Sequence, residues 1–356
     1  MTAALIAFGI ALAASLGFTA RVRALALRVG MVDLPGPRKV HAAPIPLLGG
    51  VAIYGGVVVA ILALAVVLAM NDGALAEIVG VLGGATLVAV VGIADDRGLL
   101  HHQIKLFVGM PAAGVILIAS GVRTHLVEVM WPGPWAAAGD VGLTLLWVVG
   151  ITASFSIFDH MDGLCAGVAA VACVIFLIFA SVNGQVLVGT LAAAVLGAAL
   201  GFLRWNFNPA KIFMGDGGAM FLGFLMATLG LKLRFAEIPQ ATSWMVPVLI
   251  LGVPIFDTTL ISISRARRGL LPFATPGKDH AAHRLANLGL GQKGAVVTLY
   301  ALGAVFGTLA IMVSCLGERA GLIIGVATAA AVLAGVAMLE KVPYEKQGKK
   351  GVGSRE

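Results

Sequence analysis

Eleven stretches of this chain stay apolar for the length of a bilayer crossing: residues 2–20, 49–70, 77–94, 104–121, 141–157, 163–183, 185–203, 217–233, 243–263, 294–316 and 321–339. Each can cross the roughly 30 Å hydrocarbon core as a helix, the one open-ended element that satisfies all of its own backbone N–H and C=O groups in lipid. Such a pattern leaves few choices of architecture. With 60% of its 356 residues hydrophobic and only 12% charged, the chain has no room for a separate soluble domain. The predicted fold is an all-α integral membrane protein of about eleven transmembrane helices. Residues 1–339 form a single polytopic domain, and residues 340–356 form a basic, disordered cytoplasmic tail. The first run lacks a basic leader and reads as a true span rather than a cleaved signal.

Charge placement orients these spans. With the N-terminus outside and the C-terminus in the cytoplasm, the segments 21–48, 95–105, 204–216, 264–293 and 340–356 face inward and hold 20 of the 24 lysines and arginines. That bias is the positive-inside pattern of a plasma-membrane protein. The net charge of +7 then belongs to loops near anionic lipid, not to a nucleic-acid surface. Cys165, Cys173 and Cys315 lie in apolar runs without metal-ligand spacing and read as small packing residues. The outer loop 122–140, with Trp131 and Trp135 around a Pro-Gly-Pro, reads as an interfacial aromatic belt or a short surface hairpin.

The acids follow a different rule. On the inner face, tail excluded, all eight are aspartate: Asp33, Asp95, Asp96, Asp159, Asp162, Asp216, Asp257 and Asp279. Six of the seven histidines share that face. An acid at the end of a span is expensive without a partner. Short carboxylates among glycines and basic residues suit a divalent cation that holds a phosphorylated ligand. The most telling stretch is Asn206-Phe-Asn-Pro-Ala-Lys-Ile-Phe-Met-Gly-Asp-Gly-Gly218, which places Asp216 between two spans. Asp95-Asp96 ends the third span, and two adjacent carboxylates call for a cation or a proton. Asp159 and Asp162 would share one face if that segment is helical, although Asp162 could instead cap the next helix ahead of Gly163. Two basic loops complete the face. The first, Asp33 to His41 with Arg38 and Lys39, is stiffened by prolines; the second runs from Arg265 to Lys278-Asp-His-Ala-Ala-His-Arg284.

Together, and in this order, the segments from Asp33 to about Leu288 resemble the polyprenyl-phosphate N-acetylhexosamine-1-phosphate transferases. The likeness is strongest at Asn206–Gly218, which is similar to that family's Asn-Phe-x-Pro-Ala-x-Ile-Phe-Met-Gly-Asp-x-Gly. The resemblance implies transfer of a sugar 1-phosphate, GlcNAc-1-phosphate or a related N-acetylhexosamine, from a UDP-sugar to undecaprenyl phosphate. UMP is released, in the first membrane step of cell-envelope glycan synthesis. It implies Mg²⁺, with Mn²⁺ as a substitute, held chiefly by Asp216. Asp95 and Asp96 would stand near the reacting phosphates, with Asp95 as the better general base. Asp159 and Asp162 would line the nucleotide end, with Phe213 on the uracil, Asn206 supporting that pocket and His160 beside it. Arg38, Lys39 and His41, with Arg265, His280, His283 and Arg284, would handle phosphates and sugar. The implied place is the bacterial inner membrane, with the site on the cytoplasmic face and a homodimer left open.

Several positions depart from the family pattern. Leu99 stands where a further acid is usual, Ala153 and Ser156 replace two asparagines, His160 replaces a glycine, and Ala282 replaces a histidine of His-x-His-His. The alternatives are a phospho-MurNAc-pentapeptide transferase-like activity, a non-catalytic lipid-binding relative, and a cation-coupled transporter. A transporter should bury its acids near the bilayer midplane, not gather them at one rim.

Overall fold

A computed structural model describes residues 1–35, 43–67, 72–235, 240–271 and 277–343. These form a helical bundle with one short β-pair. The chain opens with α1 (Thr2–Arg28), α2 (Gly49–Val67) and α3 (Asp72–Asp96). Next come α4 (Lys105–Ala119), which starts on a π-turn over Lys105–Gly109, and the short α5 (Leu126–Met130). Then follow α6 (Ala136–Phe158), α7 (Leu164–Val182), α8 (Val186–Asn206) and α9 (Gly215–Lys232). The remainder comprises α10 (Met245–Ile250), α11 (Gly252–Arg267), α12 (Ala281–Leu285), α13 (Gly291–Cys315) and α14 (Glu318–Glu340).

Among the described residues eight helices are long and apolar enough to cross a membrane, where the apolar runs predict eleven. The run 104–121 becomes the shorter α4. The run 243–263 breaks at Leu251 (φ −95°, ψ 20°) into α10 and α11. The run 217–233 is helical as α9, but Asp216, Lys232 and its glycines dilute the hydropathy of an 18-residue helix.

That diluted helix is the centre of the molecule. Gly215 and every residue from Gly217 to Leu231 are buried, and α9 packs against α2, α3 and α6. A helix apolar on all sides belongs in the interior. Its charged residues sit at opposite ends: Lys232 pairs with Glu77 at the start of α3, and Asp216 lies beside the end of α3. Close packing elsewhere relies on small residues, as is usual when lipid removes the hydrophobic drive between helices. A Cβ added at Gly197 of α8 would lie 2.3 Å from the carbonyl oxygen of Phe8 on α1. Nearby, Ser15 Oγ donates to the carbonyl of Ala198 at 2.8 Å. At the other extreme, α14 has only Gly321 and Val336 buried and lies at the edge of the bundle.

Two irregular segments depart from expectation or constrain the site. The loop after α4 is not a hairpin: it contains α5, whose Val127 and Glu128 N–H groups donate to Asp140 at 2.8 and 3.0 Å. Trp131 and Trp135 remain exposed there, as a belt requires. Near the other end, β1 (Val32–Asp33) pairs antiparallel with β2 (Ile45–Pro46), and Leu47 forms a parallel bridge with Phe213. The predicted tail lies outside the described residues from 344 onward.

Candidate active site

The site is assembled where α3 ends and α9 begins. The first N–H groups of a helix have no acceptor within it. In α9 two of them are taken by another helix: Asp216 and Gly217 donate to the two carboxylate oxygens of Asp96 at 2.9 and 3.2 Å. Gly215 makes this possible. Its φ of +75° favours glycine, and a Cβ there would lie 2.6 Å from Asp96 Oδ2. One turn back on α3, a Cβ on Gly92 would come within 2.6 Å of the Asp216 carbonyl. Asp96 thus sets the register between the two helices, and Asp216 emerges at a determined height.

The Asp216 carboxylate accepts from two other segments. Lys105 Nζ donates to Oδ2 at 2.6 Å, and Ser156 Oγ donates to Oδ1 at 2.7 Å. Lys105 also donates to Asp95 Oδ2 at 2.6 Å, so one ammonium joins Asp95 to Asp216. Sequence reasoning passed over this lysine. The available signal was its position: a cation at the head of an apolar run is costly unless paired. Ser156, noted in the sequence only as a departure, supplies a hydroxyl to the central acid.

Asp159 and Asp162 do not share a helical face, because α6 stops at Phe158 and Asp159 has φ −82° and ψ 57°. Nor does Asp162 cap α7: the N-cap is Gly163, with no side-chain cap bond. Instead Asp162 Oδ2 accepts from Asn208 Nδ2 and from the Ala210 N–H, both at 3.0 Å, and so holds the turn that leads to Phe213. Asn206 braces the same turn from inside, accepting from the Gly163 N–H at 2.9 Å and donating to the Ile212 carbonyl at 3.0 Å. Phe213 is half-buried, its N–H donating to Pro46 O at 2.8 Å and its carbonyl accepting from the Gly49 N–H at 2.9 Å. The described flank of the first basic loop is therefore docked on the acid-bearing segment. Arg38, Lys39 and His41 lie outside the described residues. Burial, followed by the charges of Asp216, Asp96 and Asp162, pushes the Asp159 carboxyl up to about 8.

The second basic loop behaves differently. Arg265 is buried and forks onto Asp279 at 3.0 and 2.9 Å, with Arg268 on the same carboxylate. Burial alone would raise the Asp279 carboxyl, but the two guanidiniums outweigh it and hold it well below the usual range. Arg284 is fully buried and donates to Ser264 Oγ, Glu340 Oε1 and the carbonyls of Asp279 and Leu339. Arg265 and Arg284 thus take part in an internal network joining α11, α12 and the end of α14. His280 is also buried, its Nδ1 within 2.7 Å of Asp257 Oδ2, while Asp257 Oδ1 accepts the Ala281 N–H at 2.7 Å. His160 lies against His280 and His283, with ring centroids 3.9 and 4.8 Å away. Burial, then its two histidine neighbours, hold His160 well below the usual imidazole range and keep it neutral.

Asp95 and Asp216 meet the demands of a magnesium-type ion. Such an ion takes hard oxygen donors and is commonly held by one or two carboxylates plus substrate phosphates. Two carboxylate oxygens, each 2.6 Å from a shared ammonium, bracket a position that a cation already fills. Both Asp96 oxygens are committed to backbone N–H groups, which leaves the Asp95 and Asp216 oxygens facing that position.

Comparison with known proteins adds an independent line. Residues 78–234, from α3 to just beyond α9, match the model of glycosyl transferase family 4. A Bacillus subtilis (strain 168) protein named "Probable undecaprenyl-phosphate N-acetylglucosaminyl 1-phosphate transferase" is 35% identical over 86% of this chain and 84% of its own length. The decaprenyl-phosphate N-acetylglucosaminephosphotransferase of Mycolicibacterium smegmatis is 31% identical over 88% of this chain and 83% of its own. The undecaprenyl-phosphate alpha-N-acetylglucosaminyl 1-phosphate transferase of Yersinia pestis is 27% identical, covering 86% and 82%.

Proposed function

This chain belongs to glycosyl transferase family 4, and from that premise we propose that it transfers N-acetylglucosamine 1-phosphate from its UDP-sugar to a polyprenyl phosphate. The observation that carries this reading is the Asp95–Lys105–Asp216 chain at the end of a span, beside an aspartate-rich turn. An oxygen of the lipid phosphate attacks the sugar-bearing phosphorus of the donor. The bond from that phosphorus to the bridging oxygen breaks, and UMP leaves with the bridging electron pair. The nucleophile is already ionised at neutral pH, so rate comes from bringing two anions together and screening them. Asp216 with Asp95 would hold magnesium, or manganese in its place, and the ion would neutralise charge on the diphosphate.

The chain's own groups do the rest. Lys105, whose ammonium now lies on both carboxylates, would supply a cation beside the reacting phosphates. Asp95 stands where it can orient the lipid phosphate and keep it unprotonated. Asp96 is a positioning residue, since it holds the start of α9 on α3. Asp159, Asp162, Asn206 and Phe213 form the nucleotide end. Arg38, Lys39 and His41, outside the described residues, are assigned to the phosphates by the resemblance alone. The site faces the cytoplasm of the bacterial inner membrane, where a cytosolic nucleotide and a membrane-bound polyprenyl chain can meet.

Purified protein with undecaprenyl phosphate, Mg²⁺ and UDP-GlcNAc should release UMP, and Asp216→Asn should reduce that release to background. A wild-type rate no higher than background with every UDP-sugar tried would overturn the reading.

A further inference from the structure

Two of the departures noted in the sequence fall in one place. Position 160 carries a histidine in place of a glycine, and position 282, between His280 and His283, carries an alanine in place of a histidine. The structure folds the His160 ring against those two histidines, 3.9 Å from the His280 ring and 4.8 Å from the His283 ring. Imidazoles thus converge from two chain-distant segments, the turn after Phe158 and the entry to α12.

Both ring nitrogens of His160 are buried, and neither has a hydrogen-bond partner among the described residues. Buried polar groups are normally satisfied, so such a pair calls for an explanation. The neighbouring ring is arranged otherwise. Its Nδ1 lies 2.7 Å from Asp257 Oδ2, so an imidazole nitrogen and a carboxylate oxygen already stand side by side there. One ligand atom from each of His160, Asp257 and His280 lies within 4.8 Å of the other two. Two imidazoles and one carboxylate favour zinc and its neighbours in the first transition row, whereas magnesium and calcium prefer all-oxygen sites.

We propose that His160, His280 and Asp257 form a binding site for a zinc-class transition-metal ion. This site is separate from the oxygen site around Asp216 and does not depend on the transferase reading. An ion here would tie the turn that holds Asp159 to the segment ahead of α12. It would stiffen one wall of the nucleotide end without touching the Asp95–Asp216 pair.

The full-length protein in detergent, stripped with a chelator, is titrated with Co²⁺ and followed by visible absorption. One equivalent should bind, with the intense band of a tetrahedral cobalt site, displaced by Zn²⁺ but not by a large excess of Mg²⁺. His160→Gln and His160→Gly should each weaken Co²⁺ binding by at least about tenfold. Asp216→Asn should leave the band unchanged, and elution profiles and thermal transitions confirm that each variant is folded. The proposal falls if the wild-type protein gives no such band. It falls equally if a folded His160 variant binds Co²⁺ with wild-type affinity, or if Asp216→Asn abolishes the band.

Discussion

Lys105 Nζ is 2.6 Å from Asp95 Oδ2 and 2.6 Å from Asp216 Oδ2, with all three side chains largely withdrawn from solvent. Removing the ammonium leaves two carboxylates facing each other and takes a cation from the phosphate site. Lys105→Met should therefore lower kcat/KM for UMP release by about 100-fold or more, the scale of losing one preorganised electrostatic contact. Lys105→Arg should recover only part of it, because a planar fork replaces a point charge. Asp159 offers a pH test. Its folded-state carboxyl is raised to about 8, so between the ordinary carboxylate range and that value the folded protein holds a proton that the unfolded chain has lost. The associated stability is complete below the ordinary range and disappears as pH rises to about 8. With a chelator present, the melting temperature of the parent should fall across that window more steeply than that of Asp159→Asn. Parallel curves would show that Asp159 is not held protonated.

Among the elements, the contact between α3 and α9 decides where the central acid sits. It tolerates no added atom: a Cβ on Gly92 would meet the Asp216 backbone at 2.6 Å, and one on Gly215 would meet Asp96 Oδ2 at the same distance. Overpacking of this kind costs about 1–3 kcal/mol and moves backbone. Gly92→Ala should lower both the melting temperature and the rate of UMP release. Gly9→Ala, on the outward side of α1 with nothing within 4 Å, should raise the melting temperature slightly and leave the rate unchanged. Equal effects from the two substitutions would mean that helix propensity, not this contact, is being measured. The same comparison explains why α9 escapes a hydropathy count. The glycines that let α3 and α2 approach it also dilute its apolar character.

For the molecule as a whole, the open matter is sidedness. Asp95, Asp96, Lys105 and Asp216 lie at one end of the bundle, whereas the Lys232–Glu77 pair lies at the other ends of α9 and α3. The proposed function requires the acidic end to face the cytoplasm, as the positive-inside pattern predicts. In a Cys315→Ser background, Leu99→Cys and Trp135→Cys provide two exposed probes, since Cys165 and Cys173 are buried. An impermeant maleimide should label the first only in inverted vesicles and the second only in intact cells. Labelling of both from one side would reverse the orientation or break the bundle into a different topology.

Hydropathy alone determined that this chain is a helical membrane protein, because lipid leaves an unpaired backbone almost no other form. Residue type and spacing also singled out Asp95, Asp96 and Asp216, since acids at the ends of spans are too costly to be incidental. Only the tertiary structure decided what each acid does. Asp96 caps a distant helix, Asp162 holds a turn, and Arg265 and Arg284 are spent on an internal network. These roles depend on which donor lies within about 3 Å, and such a distance is set by segments up to 121 residues apart meeting in space. Lys105 and the His160–His280 contact were hidden for the same reason: their partners are remote in the chain, and no local pattern records them.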